Sequence, residues 1–189
     1  MSTLVIALRA VSLLAFAGPM LLGAGGRRGE RRTPARRSGA RRAPVVANLS
    51  AFGLFFASLL IFSGSAEASM ALPLALSGCL LAVAGAALVV RSRAELGPAW
   101  SFVPTADRGL VTTGPYRLVR HPIYLGLALL AMGEALAFSS WPAFLVVLCG
   151  IVPTFAWRAR AEEALLSRTF GERHALYRKR TRMIIPYLL

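Results

Sequence analysis

The chain has 189 residues, of which 56% are hydrophobic and 16% are charged, with a mean hydropathy of +0.60. Soluble domains have roughly 45–50% apolar and about 25% charged residues, so the composition excludes an ordinary soluble domain and favours a single membrane domain over residues 1–189. The 22 Lys+Arg against 8 Asp+Glu give a net charge of +14. Such an excess fits binding of nucleic acid, binding of anionic lipid, or control of membrane topology.

Five apolar stretches are long enough to cross a bilayer, for which a helix needs about 20 residues. The predicted spans are Thr3–Gly25, Val45–Ser63, Ala71–Val90, Ile123–Ser139 and Trp141–Trp157. Only a few residues around Pro142 separate the last two, and proline suits the start of a helix, so these two spans predict a tight helical hairpin. The predicted fold class is therefore an all-α integral membrane protein with five transmembrane helices and a C-terminal helical hairpin.

Basic residues alternate along the connections between these spans. The Arg27–Arg42 connection, the residues from 91 to 121 and the tail after Trp157 are rich in arginine, whereas the other two connections contain no basic residue. Cytoplasmic loops of membrane proteins carry the excess of Lys and Arg. The pattern therefore predicts an N-terminus outside and a C-terminus in the cytoplasm, and it assigns most of the positive charge to topology.

Other interpretations of these segments have less support. Apart from Arg9, the first span lacks the basic start of a secretory signal peptide, and the arginines that follow it oppose translocation. The Arg27–Arg42 connection has no aromatic residue for base stacking, so contact with anionic lipid is favoured over nucleic acid. Cys79 and Cys149 lie in apolar runs without a ligand spacing, which predicts no metal site.

The segment Gly114–Tyr124 contains the first group of candidate binding residues. Pro122 suits the first turn of the fourth span, because its missing N–H would be unpaired there. His121 is then at the helix cap, and the free N–H groups of the next three residues make an anion site beside Arg120. Tyr124 follows His121 by one turn, so their rings are neighbours. The segment predicts a cytoplasmic pocket for a ligand with an anionic group and an aromatic ring, with an interfacial anchor among lipid headgroups as the alternative.

A second group lies on the helix that continues the fifth span. Arg158 and Glu162 are four residues apart and share a helix face, with Glu163 beside them. Adjacent carboxylates just below a membrane suit ribose hydroxyls or an amino group, and a solvated helix face is the alternative. Gly171 then predicts a break before a second amphipathic segment.

Glu134 stands apart from both groups, near the middle of the fourth predicted span. An ionisable residue at that depth is costly and is a functional hypothesis by default. Two interpretations are open: a role in a substrate tunnel, and a carboxyl group that is protonated or paired inside the bundle with Ser or Thr.

The order of these motifs resembles that of the isoprenylcysteine carboxyl methyltransferase family. The run Arg108–Tyr124 contains its Arg-His-Pro-x-Tyr signature, and a helical hairpin, the pair Glu162-Glu163 and then Phe170-Gly171 follow in the family's order. The resemblance implies a cytoplasm-facing S-adenosylmethionine-binding unit over residues 91–189. Residues 1–90 contain the three N-terminal spans predicted from the apolar runs, and the first two of these spans do not carry the resemblance.

The resemblance also implies roles for individual residues. Arg158 matches a position that faces the methyl acceptor. Family members often have histidine where this chain has Arg108. The implied cofactor-binding residues are Arg108, Gly109, Leu110, Val111, Tyr116, Arg120, His121, Pro122, Ile123, Tyr124, Glu162 and Glu163.

The function implied is methyl transfer to a lipid-like or prenylated acceptor, with the carboxylate of an isoprenylcysteine favoured. An ionised acceptor needs no general base, so alignment and electrostatics suffice for catalysis. The sequence also leaves open a phospholipid amine or a small thiol as the acceptor. Two other functions remain as alternatives: an NADPH-dependent membrane reductase of the sterol-reductase type, and a non-enzymatic adaptor that binds anionic lipid.

Overall fold

The computed structural model describes residues 3–25, 42–64, 68–97 and 109–185. Within these ranges the chain is helical and has no β-strand, apart from an isolated parallel bridge between Val119 and Arg182. The prediction of an all-α fold is therefore confirmed for the described residues. The elements are α1 (Thr3–Gly25), α2 (Arg42–Ile61), α3 (Ala68–Leu96), a 3₁₀ turn (Gly114–Arg117), α4 (Pro122–Ala137), α5 (Trp141–Val146), a π-helical turn (Val147–Ile151), α6 (Val152–Phe170) and α7 (Glu172–Arg180).

Three helical segments among the described residues are long and apolar enough to cross a membrane: Ala43–Ile61, Ser69–Leu96 and Trp141–Phe170. The third comprises α5, the π-helical turn and α6 as one continuous helix. The segments Thr3–Gly18 and Pro122–Ala137 are shorter apolar helices. Three of the predicted spans thus meet the length and hydropathy that crossing requires, and the count of five stays a prediction.

Two helices extend further than the apolar runs that predicted them. α3 continues past Val90 to Leu96, and α6 continues past Trp157 to Phe170. The added residues are mostly Arg, Ala, Glu and Leu, which favour helix regardless of hydropathy. The segment Trp141–Phe170 has 30 residues and is about 45 Å long, whereas the hydrocarbon layer is about 30 Å thick. This segment is therefore longer than one perpendicular crossing requires, and its charged residues lie in the C-terminal part of α6.

α3 and α4 pack with their backbones in direct contact. Gly78 lies opposite Gly133, and Gly85 lies opposite Gly126. A Cβ atom at Gly133 would lie 2.5 Å from the backbone nitrogen of Ala82 and 2.6 Å from the carbonyl oxygen of Gly78. Such close contact is typical of helix pairs in lipid, where small residues replace the hydrophobic driving force. The antiparallel pairing holds the start of α4 beside the end of α3.

A short segment after α7 covers the start of α4. Gly171 has a φ of 51° and separates α6 from α7, as predicted. Residues 181–185, which we call the strap, then run beside the residues that precede α4. The backbone N–H of Arg120 donates to the carbonyl of Arg182 at 2.8 Å, and that of His121 donates to Met183 at 2.9 Å. The strap therefore fixes the backbone on which two of the predicted site residues stand.

Glu134 is fully buried between α1 and α4. The Ser12 hydroxyl donates to Oε2 of Glu134 at 3.2 Å, and Nε of Arg9 donates to the carbonyl of Ala137 at 2.9 Å. Pairing of this carboxyl group with serine, one of the two predicted interpretations, is therefore confirmed. A role in a substrate tunnel stays a prediction.

Candidate functional site

His121 lies between the two adjacent glutamates of α6. Its Nε2 is 3.2 Å from Oε1 of Glu163, and its Nδ1 is 3.6 Å from Oε2 of Glu162. The Tyr124 ring stacks on the His121 ring, with centroids 5.6 Å apart and an interplanar angle of 12°. This contact confirms the prediction that the rings of His121 and Tyr124 are neighbours. We call these residues, together with Arg120 and Arg158, the α4–α6 cluster.

Glu163 is the buried member of the glutamate pair. Nε of Arg120 donates to its Oε1 at 2.6 Å, and Nε of Arg178 lies 3.4 Å from its Oε2. Burial alone would raise the pKa of Glu163, but the hydrogen bonds from His121 and Arg120 and their charges lower it to about 2. Glu163 is therefore ionised at every physiological pH, and its two oxygens are already occupied by protein donors.

Glu162 has a different environment, although it is the next residue. Its side chain is 38% exposed, against 10% for Glu163. The Tyr124 hydroxyl donates to Oε1 of Glu162 at 2.5 Å, and Nε of Arg158 donates to the same atom at 3.3 Å. Because much of this carboxylate remains accessible, Glu162 is the member of the pair that a ligand can reach.

Arg158 stands one turn before Glu162 on α6, closer to the apolar part of the helix. Its guanidinium carbon lies 5.6 Å from the centroid of the Tyr124 ring, which is cation–π distance. Together with the contact to Glu162, this confirms that Arg158 and Glu162 share a helix face. The planar guanidinium is thereby held at the edge of the cluster that faces the membrane-crossing part of α6.

The other predicted residues are distributed unevenly around the cluster. Pro122 is buried in the first turn of α4, and Ile123 beside it is partly buried. Tyr116 is buried in the 3₁₀ turn, and its carbonyl accepts a hydrogen bond from the Tyr177 hydroxyl at 2.6 Å. Burial raises the pKa of both Tyr116 and Tyr177, so both remain neutral hydrogen-bonding groups.

Four predicted contacts remain predictions. Arg108 lies outside the described residues. Gly109, Leu110 and Val111 lie in the segment before the 3₁₀ turn. Within the described part of the chain, these three make no hydrogen bond, ion pair or ring contact with the cluster.

The predicted anion site at the start of α4 has fewer free N–H groups than expected. The N–H groups of Tyr124 and Leu125 donate to the carbonyl of His121, at 3.1 and 3.3 Å. The carbonyl of a helix-capping residue accepts the first bonds of the helix, so the expectation of three free N–H groups is wrong for two of them. Of the three, the N–H of Ile123 alone lacks a partner among the described residues.

Sequence reasoning missed His174. This side chain is fully buried, with Nδ1 2.9 Å from the Ser167 hydroxyl and Nε2 3.8 Å from Oε1 of Glu163. Burial lowers the pKa of His174, so it is neutral at pH 7. A signal was present, because His174 and Tyr177 are three residues apart on one face of α7, and Thr181 follows four residues later at the end of that helix. All three are buried against the cluster or the residues around it.

Glu95 was also missed. Thr113 donates from its hydroxyl to the Glu95 carboxylate, which ties the segment before the 3₁₀ turn to the end of α3. No group of three or more His, Cys, Asp or Glu side chains in the described ranges has the arrangement of a metal site.

Comparison with known proteins identifies the family of this fold. The family model for phospholipid methyltransferases matches residues 74–173, which is more than half of the chain. The chain belongs to the phospholipid methyltransferase family. The matched residues of this family member include Arg120, His121, Tyr124, Arg158 and both glutamates of the cluster, whereas α1 and α2 lie outside the match.

Two curated relatives of this chain are named protein-S-isoprenylcysteine O-methyltransferase. The one from Schizosaccharomyces pombe is 31% identical over 98 residues, covering 50% of this chain and 42% of that protein. The one from Saccharomyces cerevisiae is 28% identical over 137 residues, covering 70% of this chain and 56% of that protein. The chain thus spans about half the length of these relatives.

A solved structure also shares the fold. The structure of the eukaryotic intramembrane Ras methyltransferase ICMT (isoprenylcysteine carboxyl methyltransferase) matches 94% of this chain and 68% of that chain, with a TM-score of 0.60 and 20% identity. The predicted resemblance to the isoprenylcysteine carboxyl methyltransferase family is confirmed by these relatives and by this fold.

Proposed function

We propose that this protein is an S-adenosylmethionine-dependent methyltransferase acting at the cytoplasmic face of the membrane on a lipid-like acceptor, with the carboxylate of an isoprenylcysteine favoured. The observation that carries this proposal is the contrast between two adjacent glutamates that face the same histidine. Glu163 is buried and occupied by Arg120 and Arg178, whereas Glu162 is accessible and oriented by the Tyr124 hydroxyl. This arrangement lies within the residues that match the family model.

The chemical groups of the cluster fit S-adenosylmethionine. This cofactor carries an ammonium, a carboxylate, ribose hydroxyls and a sulfonium. The accessible carboxylate of Glu162 suits the ammonium or the ribose hydroxyls, and the Ile123 N–H at the positive end of α4 suits the carboxylate. Bound there, the cofactor would supply an electrophilic methyl group.

The residues present are sufficient for transfer to a carboxylate oxygen. Such a transfer forms one O–CH₃ bond as one S–CH₃ bond breaks, and no proton changes place. Arg158 is proposed to orient the acceptor carboxylate through its two-pronged guanidinium. His121 and Arg120 hold the glutamate pair, so that catalysis rests on alignment and on fixed charge.

Titration calorimetry of the purified protein tests the cofactor. S-Adenosylmethionine and S-adenosylhomocysteine are expected to bind, and NADPH is not. If NADPH binds and the other two compounds do not, the protein is a reductase and the methyltransferase proposal is wrong. Binding of none of the three would favour the lipid-binding adaptor.

A methyl-transfer assay with tritiated S-adenosylmethionine tests the acceptor. S-Farnesylcysteine, phosphatidylethanolamine and a small thiol are offered separately to the purified protein in detergent. Label is expected on the farnesylcysteine, in an ester that mild base releases as methanol. Base-stable label on the amine or on the thiol would support the methyltransferase activity but show that the acceptor is not a carboxylate.

The first testable prediction concerns topology. Reporter fusions after Arg42, within residues 91–120 and at the C-terminus are expected to report cytoplasm, and a fusion at Ser65 is expected to report the outside, because the basic connections stay inside. A cytoplasmic signal at Ser65 would contradict both the five-span arrangement and the cytoplasmic placement of the cluster.

The second prediction concerns Arg158. Arg158→Ala is expected to leave S-adenosylhomocysteine affinity nearly unchanged, because the Tyr124 hydroxyl still orients Glu162, while kcat/KM for the acceptor falls. Arg158→Lys is expected to restore only part of the activity, because a point charge lacks the planar fork that grips a carboxylate. Steady-state kinetics with the labelled acceptor measure both variants. Full activity of the lysine variant would assign Arg158 to charge balance and headgroup contact instead.

A further inference from the structure

A cavity of about 430 Å³ is lined by residues of α7, by residues of the strap and by Arg120. Its walls include Arg120, Arg178, Lys179 and Arg182. His121, Tyr124 and Glu162 do not line it. The cavity is therefore separate from the accessible part of the α4–α6 cluster, although Arg120 belongs to both.

The charged side chains that line this cavity are all positive. Its wall has four basic side chains and no acidic one. Glu163, which does not line the cavity, compensates part of this charge through its ion pairs with Arg120 and Arg178. The side chains of Lys179 and Arg182 make no hydrogen bond or ion pair with any residue that the structure describes.

Stabilisation by the C-terminal carbonyls of α7 explains only two of these four basic residues. Cations near a helix C-terminus are stabilised by the exposed carbonyls of the last turn, and Arg178 and Lys179 occupy that turn. Arg182 lies beyond it, on the strap, and Arg120 belongs to the segment before α4. Basic residues from three segments thus converge on one concavity, where their mutual repulsion makes a bound anion favourable.

We propose that this cavity binds a phosphate-bearing anion. Arginine guanidinium groups recognise phosphate oxygens in pairs, and lysine adds a point charge. The cavity volume lies within the range of small-molecule sites, which is roughly 300–1,000 Å³. A helix that enters the hydrocarbon layer at Trp141 has spanned about 20 residues by Arg160, which is the length that a crossing needs. Glu163 follows within one turn and contacts two residues of the cavity, so we place the cavity near the depth of lipid headgroups. An anionic lipid headgroup and a soluble phosphate compound are both sources of this chemistry.

Binding to full-length protein in a neutral glycoside detergent tests the proposal. The two probes are inorganic pyrophosphate and short-chain phosphatidylglycerol, each titrated at low salt because screening weakens such contacts. The double variant Lys179→Gln/Arg182→Gln is expected to lose roughly tenfold or more in affinity, the scale for removing two charge-assisted contacts. Its melting temperature without ligand is expected to match that of the wild type, since neither side chain has a partner among the described residues.

Arg168→Gln/Arg173→Gln is the matched control, because it removes the same charge from exposed positions outside the cavity. Its affinity for both probes is expected to stay within about twofold of wild type, as for distant surface charges. Pyrophosphate that binds and displaces phosphatidylglycerol would identify a site for soluble phosphate compounds. Phosphatidylglycerol binding without pyrophosphate binding would identify a lipid headgroup site. Binding of neither probe to the wild type, or equal losses in the two double variants, would overturn the proposal.

Discussion

Gly133→Ala is expected to destabilise the protein more than Gly126→Ala, the other glycine substitution where α4 contacts α3. The new Cβ would lie 2.5 Å from the backbone nitrogen of Ala82 and 2.6 Å from the carbonyl oxygen of Gly78. Overpacking of a core typically costs about 1–3 kcal/mol when side chains can shift. Here the neighbouring atoms are helix backbone, so relief requires α3 and α4 to separate. We expect a loss of about 3 kcal/mol or more, which corresponds to a fall in Tm of roughly 6–12 °C for a chain of this length.

Thermal unfolding in detergent, followed by tryptophan fluorescence, measures this loss. Gly53→Ala is the matched control, because a Cβ at Gly53 meets no atom within 4 Å and alanine favours helix. Its Tm is expected to equal or slightly exceed that of the wild type. If Gly133→Ala melts like Gly53→Ala, then α3 and α4 do not pack backbone to backbone as described.

The sequence predicted the parts of this fold that follow from local pattern. Apolar runs located three helical segments that are long enough to cross a membrane, and Gly171 located the break between α6 and α7. The four-residue spacing predicted that Arg158 and Glu162 share a helix face, and the three-residue spacing predicted that the rings of His121 and Tyr124 are neighbours. Each of these depends on helix geometry within one segment.

Contacts between distant segments were not predicted. Nothing in the local pattern indicates that the strap pairs with the backbone of Arg120 and His121, because a two-residue backbone pairing leaves no periodic signature. The glycines of α3 and α4 are each spaced by seven residues, Gly78 with Gly85 and Gly126 with Gly133. That spacing is visible in the sequence, but which helix faces which depends on the tertiary arrangement.

The unequal burial of Glu162 and Glu163 was also hidden from the sequence. Both residues follow Arg158 within about one turn, and both were assigned to the cofactor. The difference arises from α7, whose folding back places His174 and Arg178 against Glu163. One carboxylate thereby holds the site together, and its neighbour is left for a ligand.

Substitution of each glutamate by glutamine is expected to separate these two roles. Glu163→Gln keeps the shape of the side chain and removes its charge, which leaves Arg120, whose side chain is 8% exposed, without its ion-pair partner. Breaking a buried pair from one side costs about 3–5 kcal/mol, so we expect a large fall in Tm together with loss of cofactor binding. Glu162→Gln is expected to change Tm little, because the carboxylate is 38% exposed and partly exposed pairs contribute about 0–1 kcal/mol. Its affinity for S-adenosylhomocysteine is expected to fall roughly 5–150-fold, the scale of one charged hydrogen bond.

The pH dependence of Tm tests the assignment of Glu163 independently of any ligand. The pKa of this group falls from 4.5 to about 2 on folding, so its contribution to stability is fully present above pH 4.5 and disappears as the pH falls towards 2. The difference in Tm between the wild type and Glu163→Gln is therefore expected to be constant from pH 7 to about pH 5 and to shrink below that. Glu162→Gln provides the reference, since the same charge is removed one residue away. A Glu163→Gln variant that melts like Glu162→Gln at neutral pH would show that Arg120 does not depend on this carboxylate. The buried pair would then not be what holds the start of α4 against α6.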